Sequence, residues 1–211
     1  MTPTIKRRSV ELFLDELASQ KATPGGGSAA AMMAAMAAAL VSMVCNLTLG
    51  KAKYRDVEEE LTSVLARAEQ LRRQLTEMID DDAKSFGAVL RAYAMPRQTQ
   101  EESMLRAQAI QTALEEAAQV PLRCCRACRD IIDLSAVVAQ KGNSNVVSDA
   151  GVAVLAAHAA LRSGALNVLI NVKAMPDRSL VANRLAELDE LISQTSTAAE
   201  ACYQSVRNAI S

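Results

Sequence analysis

Residues 26–49 carry no charge and, past the glycines at their head, no helix breaker; this stretch limits the chain more than any other. Alanine and methionine dominate it. Both favour helix, and alanine lets neighbouring helices approach closely. A run of this length raises a membrane span, but the alanine content, the opening glycines, and Asn46 and Thr48 near its end fit a buried central helix better. No membrane partner is therefore expected. The helix should begin at Thr23-Pro24-Gly25-Gly26-Gly27-Ser28 and reach about Leu49, with Ser28 in or beside its first turn. Consecutive glycines are costly to order, and chains keep them where φ must be positive or where a group comes very close to the main chain. A helix start offers unpaired N–H groups and a positive dipole end, which suit an anion or a polarised oxygen. The plain alternative is a flexible joint with an N-cap. The glycine spacing matches neither the dinucleotide fingerprint nor the phosphate loop, so it marks a site without naming a ligand.

No stretch alternates with period two over a convincing length, and only 2% of the residues are aromatic. The fold class expected is all-α: a bundle of about five or six long helices in a single domain over residues 1–211. A first helix over 7–20 would turn Val10, Phe13, Leu14 and Leu17 inward. A helix over about 55–94 carries Val64, Ala68, Leu71, Leu75, Met78, Phe86, Val89 and Tyr93 on one stripe. Thr99 and Glu102 form a capping box for the next helix, which runs toward Gln140 with Pro121 predicting a kink or break. Residues 146–174 form a second nearly charge-free helix, expected to be buried on most sides, and a last amphipathic helix turns Leu185, Leu188, Ile192 and Ala199 inward. The excess of apolar helix faces predicts a homodimer.

Asp82 stands out because it falls on the apolar stripe, one turn after Met78 and one before Phe86. A carboxylate there is costly unless paired or used; a structural salt bridge is the ordinary alternative. Asp80 and Asp81 point elsewhere at 100° per residue. In the second charge-free helix, Asp149 could simply complement the helix dipole, and His158 reads as a core histidine. Asn167 and Asn171 share a face one turn apart. Asp149 and Asn167 are separated by roughly 27 Å along an unbroken helix. They cannot serve one small reacting centre in one copy, so they flank an elongated ligand or a second subunit supplies one of them. Lys51 through Arg55 form a basic turn, ordinarily just solvated, that could clamp an anion.

The net charge of −1, with both signs mixed, excludes the basic footprint of a nucleic-acid binder. Lys6, Arg7 and Arg8 lead into an amphipathic segment rather than an apolar one, so no signal peptide is read. Five cysteines, an odd number, suggest reduced thiols in the cytoplasm. Cys124, Cys125 and Cys128 lie among arginines, but a structural zinc usually needs four ligands and the single histidine is remote, so no metal is expected.

Taken together, Thr23–Ser28, Ala39–Val44, Gly50-Lys51, Asp82-Ala83 with Phe86, Val120-Pro121-Leu122, Gly142-Asn143 through Ser148-Asp149, and Asn167–Asn171 with Asp177 resemble the cyclodeaminase/cyclohydrolase family of folate enzymes. The match covers nearly the whole chain in order. Cys124–Arg129 and Ser148–Leu155 are similar to the stand-alone cyclohydrolase branch, which hydrolyses 5,10-methenyltetrahydrofolate to 10-formyltetrahydrofolate. The resemblance implies an all-helical dimer with a folate groove and no metal or other cofactor. It makes Asp82, Lys51, Asp149 and Ser28 catalytic candidates: Asp82 as proton shuttle, Asp149 as second carboxylate, Lys51 orienting water or a carbonyl oxygen. It gives substrate binding to Pro24, Gly25, Gly26, Gly27, Lys53, Asn143, Asn167 and Asn171, with Lys53 toward the glutamate tail and the asparagines toward the pterin. The alternatives are an ammonia-releasing formimidoyltetrahydrofolate cyclodeaminase and a non-catalytic folate-binding dimer.

Overall fold

In the computed structural model, which describes residues 4–211, the charge-free run folds as helix α2 (Gly26–Asn46) and the other long helices pack around it. They are α3 (Glu58–Tyr93), α4 (Gln100–Lys141), α5 (Val147–Lys173) and α6 (Arg178–Ile210), preceded by the short α1 (Val10–Leu17). No strand occurs among the described residues. Helix α2 lies against α3, α4 and α5, and α6 closes over α4 and α5. Its alanines supply the closeness: Ala34, Ala37 and Ala38 are fully buried, so helix backbones approach where larger side chains would hold them apart. Around them Leu71, Leu75, Leu122, Ile131 and Leu161 fill the core.

The connections make the bundle run up and down. Gly26 faces Asn167 near the end of α5, while Leu47, just past α2, is hydrogen-bonded to Asn143, just before α5. Helix α2 thus has two ends with different surroundings, separated by about 30 Å at 1.5 Å per residue.

Several expectations are corrected. The first helix is shorter than 7–20, and Val10 and Leu14 are exposed while Phe13 is buried; a two-turn helix at the edge of the bundle has only one supported face. Helix α2 stops at Asn46, and the chain turns through Gly50, whose φ of 76° suits glycine. Pro121 does not break α4, which continues through it. Asp80 makes a contact separate from that of Asp82, as expected: it is buried, near the Lys6 amide. Helix α5 is buried on one side only: Val152, Leu155, Leu166, Leu169 and Ile170 are exposed. Absence of charge, it turns out, does not enclose a helix within one chain. By length and composition alone α2 and Ser144–Lys173 could each cross a membrane; in the bundle most of α2 is buried among the other helices. The capping box at Thr99 and Glu102 is present in full.

Candidate active site

Helix α3 carries Asp82 to the first turn of α2. Its Oδ2 accepts a hydrogen bond from the Ser28 amide at 2.8 Å and lies 2.9 Å from the Ser28 hydroxyl. That amide is one of the first-turn N–H groups that no helical carbonyl can reach. Gly25, at the N-cap, has no side chain to satisfy it, so a carboxylate from the neighbouring helix caps α2. Gly27 makes the approach possible: a Cβ there would stand 1.9 Å from Asp82 Oδ1. Gly25, Gly26 and Gly27 do not have positive φ. Close approach, not left-handed backbone, is what the middle of the glycine run provides.

Two effects oppose each other at this carboxyl. Burial, the larger, raises its pKa above the ordinary carboxylate value, while the Ser28 hydroxyl and amide lower it. The Ser28 hydroxyl also lies 3.0 Å from the Ile79 carbonyl oxygen. A hydroxyl has one proton to donate and lone pairs to accept with. When Asp82 is ionised, Ser28 donates to it. When Asp82 is protonated on Oδ2, Ser28 can donate to Ile79 and accept from the acid. Either protonation state is therefore hydrogen-bonded without moving the backbone.

Asp82 opens onto a cavity of about 370 Å3 between α3, α4, α5 and the loop before α2. Gly25, Gly26, Gly27, Asn167 and Asn171 line it, together with Phe86 and Tyr93. Among the described residues that line it there is no Lys, Arg or His, and Asp82 is the one carboxylate. The Asn167 Nδ2 donates to the Ser163 carbonyl at 2.9 Å, and the Asn171 Nδ2 to the Ala117 carbonyl at 2.8 Å.

The structure separates the other sequence candidates. Ser28 is fully buried, with its amide and hydroxyl turned to Asp82. Pro24 is buried behind the loop, after a cis Thr23–Pro24 bond. Lys51, Lys53, Asn143 and Asp149 lie at the opposite end of α2 and α5. There Asn143 is buried and its polar groups are engaged: its amide donates to Thr48 Oγ1, its Nδ2 to the Leu47 carbonyl, and its Oδ1 accepts from the Asn145 amide. In one chain those four residues cannot share a reacting centre with Asp82. Sequence reasoning missed Phe86 and Tyr93, which continue the apolar stripe of α3 but are 40% and 46% exposed at the cavity. The signal available was that two of the chain's five Phe and Tyr residues sit just past Asp82 on its own stripe.

No group of three or more His, Cys, Asp or Glu placed to hold a metal occurs among the described residues. All five cysteines are free and buried. Burial pushes the Cys45 thiol up to about 11 and Cys125 up to about 12, so Arg126 beside Cys125 does not make it a thiolate.

The formiminotransferase-cyclodeaminase family matches residues 9–190. The chain is 54% identical to a protein named methenyltetrahydrofolate cyclohydrolase from Methylorubrum extorquens, across 96% of this chain and 97% of that one. It is 33% identical to the rat formimidoyltransferase-cyclodeaminase, matching 90% of this chain but 35% of the longer rat protein. Its fold superposes on the crystal structure of formiminotetrahydrofolate cyclodeaminase from Thermotoga maritima with a TM-score of 0.82, at 35% identity and over 97% of this chain and 96% of that one. Sequence motifs, helix order and relatives agree, and the chain belongs to the formiminotransferase-cyclodeaminase family.

Proposed function

We propose that this chain, acting as a single domain, is a methenyltetrahydrofolate cyclohydrolase that reversibly converts 5,10-methenyltetrahydrofolate and water to 10-formyltetrahydrofolate. The observation that carries the reading is the Asp82 carboxylate, partly buried in a cavity without a lining cation. Such a wall suits a cationic ligand, and the methenyl bridge is an amidinium. The full-length relative at 54% identity favours hydrolysis over ammonia loss.

The bridging carbon is already electrophilic, so the chemistry needs general acid–base work and neither a metal nor an organic cofactor. Ionised Asp82 takes a proton as water adds to the carbon. The protonated acid then gives it to N5 as the carbon–N5 bond breaks. The second proton of the water leaves to solvent when the formyl carbonyl forms. A raised carboxyl pKa suits a group that must both accept and return a proton near neutrality. Phe86 and Tyr93 form an apolar wall against which flat rings can lie, and first-turn N–H groups at Gly26 and Gly27 face the polar edge of the pterin.

Lys51, Lys53 and Asp149 enter this site through a second copy. The exposed face of α5 repeats as Val152, Leu155, Ala159, Arg162, Leu166 and Leu169, alternating three- and four-residue steps along the helix. Two such faces laid antiparallel set Val152 against Leu169 of the partner subunit, and Asp149 beside Lys173 of the partner subunit. The same arrangement carries the basic turn of one copy toward the Asp82 end of the other, where Lys53 can meet the anionic glutamate tail. The five free thiols fit a reducing compartment such as the cytoplasm.

Loss of the methenyl absorbance on adding protein, corrected for spontaneous hydrolysis, tests the activity; release of ammonia from formimidoyltetrahydrofolate at a higher kcat/KM would favour the cyclodeaminase instead. Folate binding without turnover of either substrate would leave only a binding protein. The shared site has its own test: at substrate concentrations well below the KM of Lys51→Ala, mixing Asp82→Asn with Lys51→Ala protein should raise activity above that of either alone, because hybrid dimers contain one intact site. No recovery after subunit exchange would place Lys51 outside the site.

A further inference from the structure

Helix α4 passes through Pro121 without breaking. Proline has no N–H, so the carbonyl of Ala117, four residues earlier, has lost its partner within the helix. That oxygen accepts from Asn171 Nδ2 at 2.8 Å, across the gap between α4 and α5. The bond settles which way the Asn171 amide points, since its own carbonyl oxygen cannot face another carbonyl. Asn167 is fixed in the same sense, its Nδ2 donating to the Ser163 carbonyl. Both residues line the cavity beside Asp82; one hydrogen of each Nδ2 is engaged, which fixes the amide's orientation, and each has Oδ1 uncommitted beside its second Nδ2 hydrogen.

We infer that Asn167 and Asn171 form a fixed pair of hydrogen-bond acceptors, that Pro121 sets the direction of the second, and that the ligand therefore enters with a donor edge against α5. This rests on the folate reading. In a reduced pterin the donor edge is the amino group and adjacent ring N–H of the pyrimidine. Placing that edge on α5 leaves the bridging carbon on the other side of the ring, toward α3 and Asp82. Pro121 touches no ligand in this scheme. It is a positioning residue: it leaves a carbonyl unbonded, the carbonyl holds an amide, and the amide selects the ligand edge.

The test compares the methenyl substrate with the same molecule carrying methyl in place of the 2-amino group. Wild-type protein should prefer the amino form in KM by about tenfold or more, because a buried acceptor left unpaired is penalised. Pro121→Ala returns an N–H to the helix, so Ala117 is bonded internally and the Asn171 amide is free to turn. The variant should fold with an unchanged or higher Tm and lose most of the preference, a result that a merely structural proline would not give. Adding Asn171→Asp to Pro121→Ala should restore the preference, since the carboxylate accepts on both oxygens and no longer opposes an unbonded carbonyl. Asn167→Leu, which breaks no bond between helices, should also reduce the preference. Wild-type turnover without any preference, or a Pro121→Ala protein that keeps the full preference, would overturn this inference and leave the activity standing. Absence of turnover and of folate binding would remove both.

Discussion

The two ends of α2 present similar sequence signals and different chemistry. Each has a glycine-bearing turn that leads into a nearly charge-free helix. At the Asp82 end the polar groups are half engaged: Asp82 is held on one oxygen by Ser28, and Asn167 and Asn171 each keep an acceptor free beside a cavity. At the Asn143 end they are fully engaged, joining the α4–α5 turn to Leu47 and Thr48. The difference teaches how to tell a site from a staple. Buried polar groups in both need partners, but only the first end leaves buried bonding capacity for a ligand; what the Asn143 end can bring to a second copy is its exposed Lys51 and Lys53.

Breaking the comparison at the Asp82 end should have the largest effect. Asp82→Asn keeps an acceptor for the Ser28 amide but cannot carry the proton, and kcat is expected to fall by about a hundred- to ten-thousandfold. The same variant should reveal the strain of the buried carboxylate. Because burial raises its folded-state pKa, this group favours folding most below the unfolded value of about 3.9, and the contribution is lost as pH rises through the folded-state value. Asp82→Asn, neutral throughout, should therefore gain stability relative to wild type as pH rises through that window, as urea unfolding at successive pH values would show. An unchanged difference would mean that Asp82 is not perturbed.

Gly27→Ala sharpens the point by steric means. Its Cβ would overlap Asp82 Oδ1, so the carboxylate must swing away from Ser28. A stability loss of about 1–3 kcal/mol should accompany a large fall in kcat.

Asn143→Ala should reverse the pattern. Removing the amide that satisfies the Leu47 carbonyl should cost about 1–3 kcal/mol of stability, read by chemical denaturation, while kcat for the folded protein changes little. If turnover falls and stability does not, the Asn143 end is a site after all.

Lys51→Ala alters an exposed side chain and should shift stability by no more than about 0.5 kcal/mol. Any larger consequence would appear in KM and depend on dimer formation, which dilution should reveal.

The smallest effect is expected from thiol reagents. With every cysteine buried, and Cys125 pushed up to about 12 by burial, alkylation of the native protein should be slow at neutral pH and should accelerate only on unfolding.

Much of this was legible in the chain. Apolar spacing gave the long helices and their order, the Thr99–Glu102 box gave the start of α4, and a carboxylate on an apolar stripe marked Asp82. These are local signals, set by propensity, capping and the period of one helix. Tertiary structure alone decided which candidates meet. Asp82 reaches Ser28 across 54 positions of sequence, Asn171 completes a bond that Pro121 leaves open in another helix, and the side chain of Asn143, similar in type to Asn167, is closed off by the Leu47 carbonyl and the Asn145 amide. A side chain's type says what it can bond to. Only the packing of helices says whether the fold has already taken that bond or has left it facing a cavity.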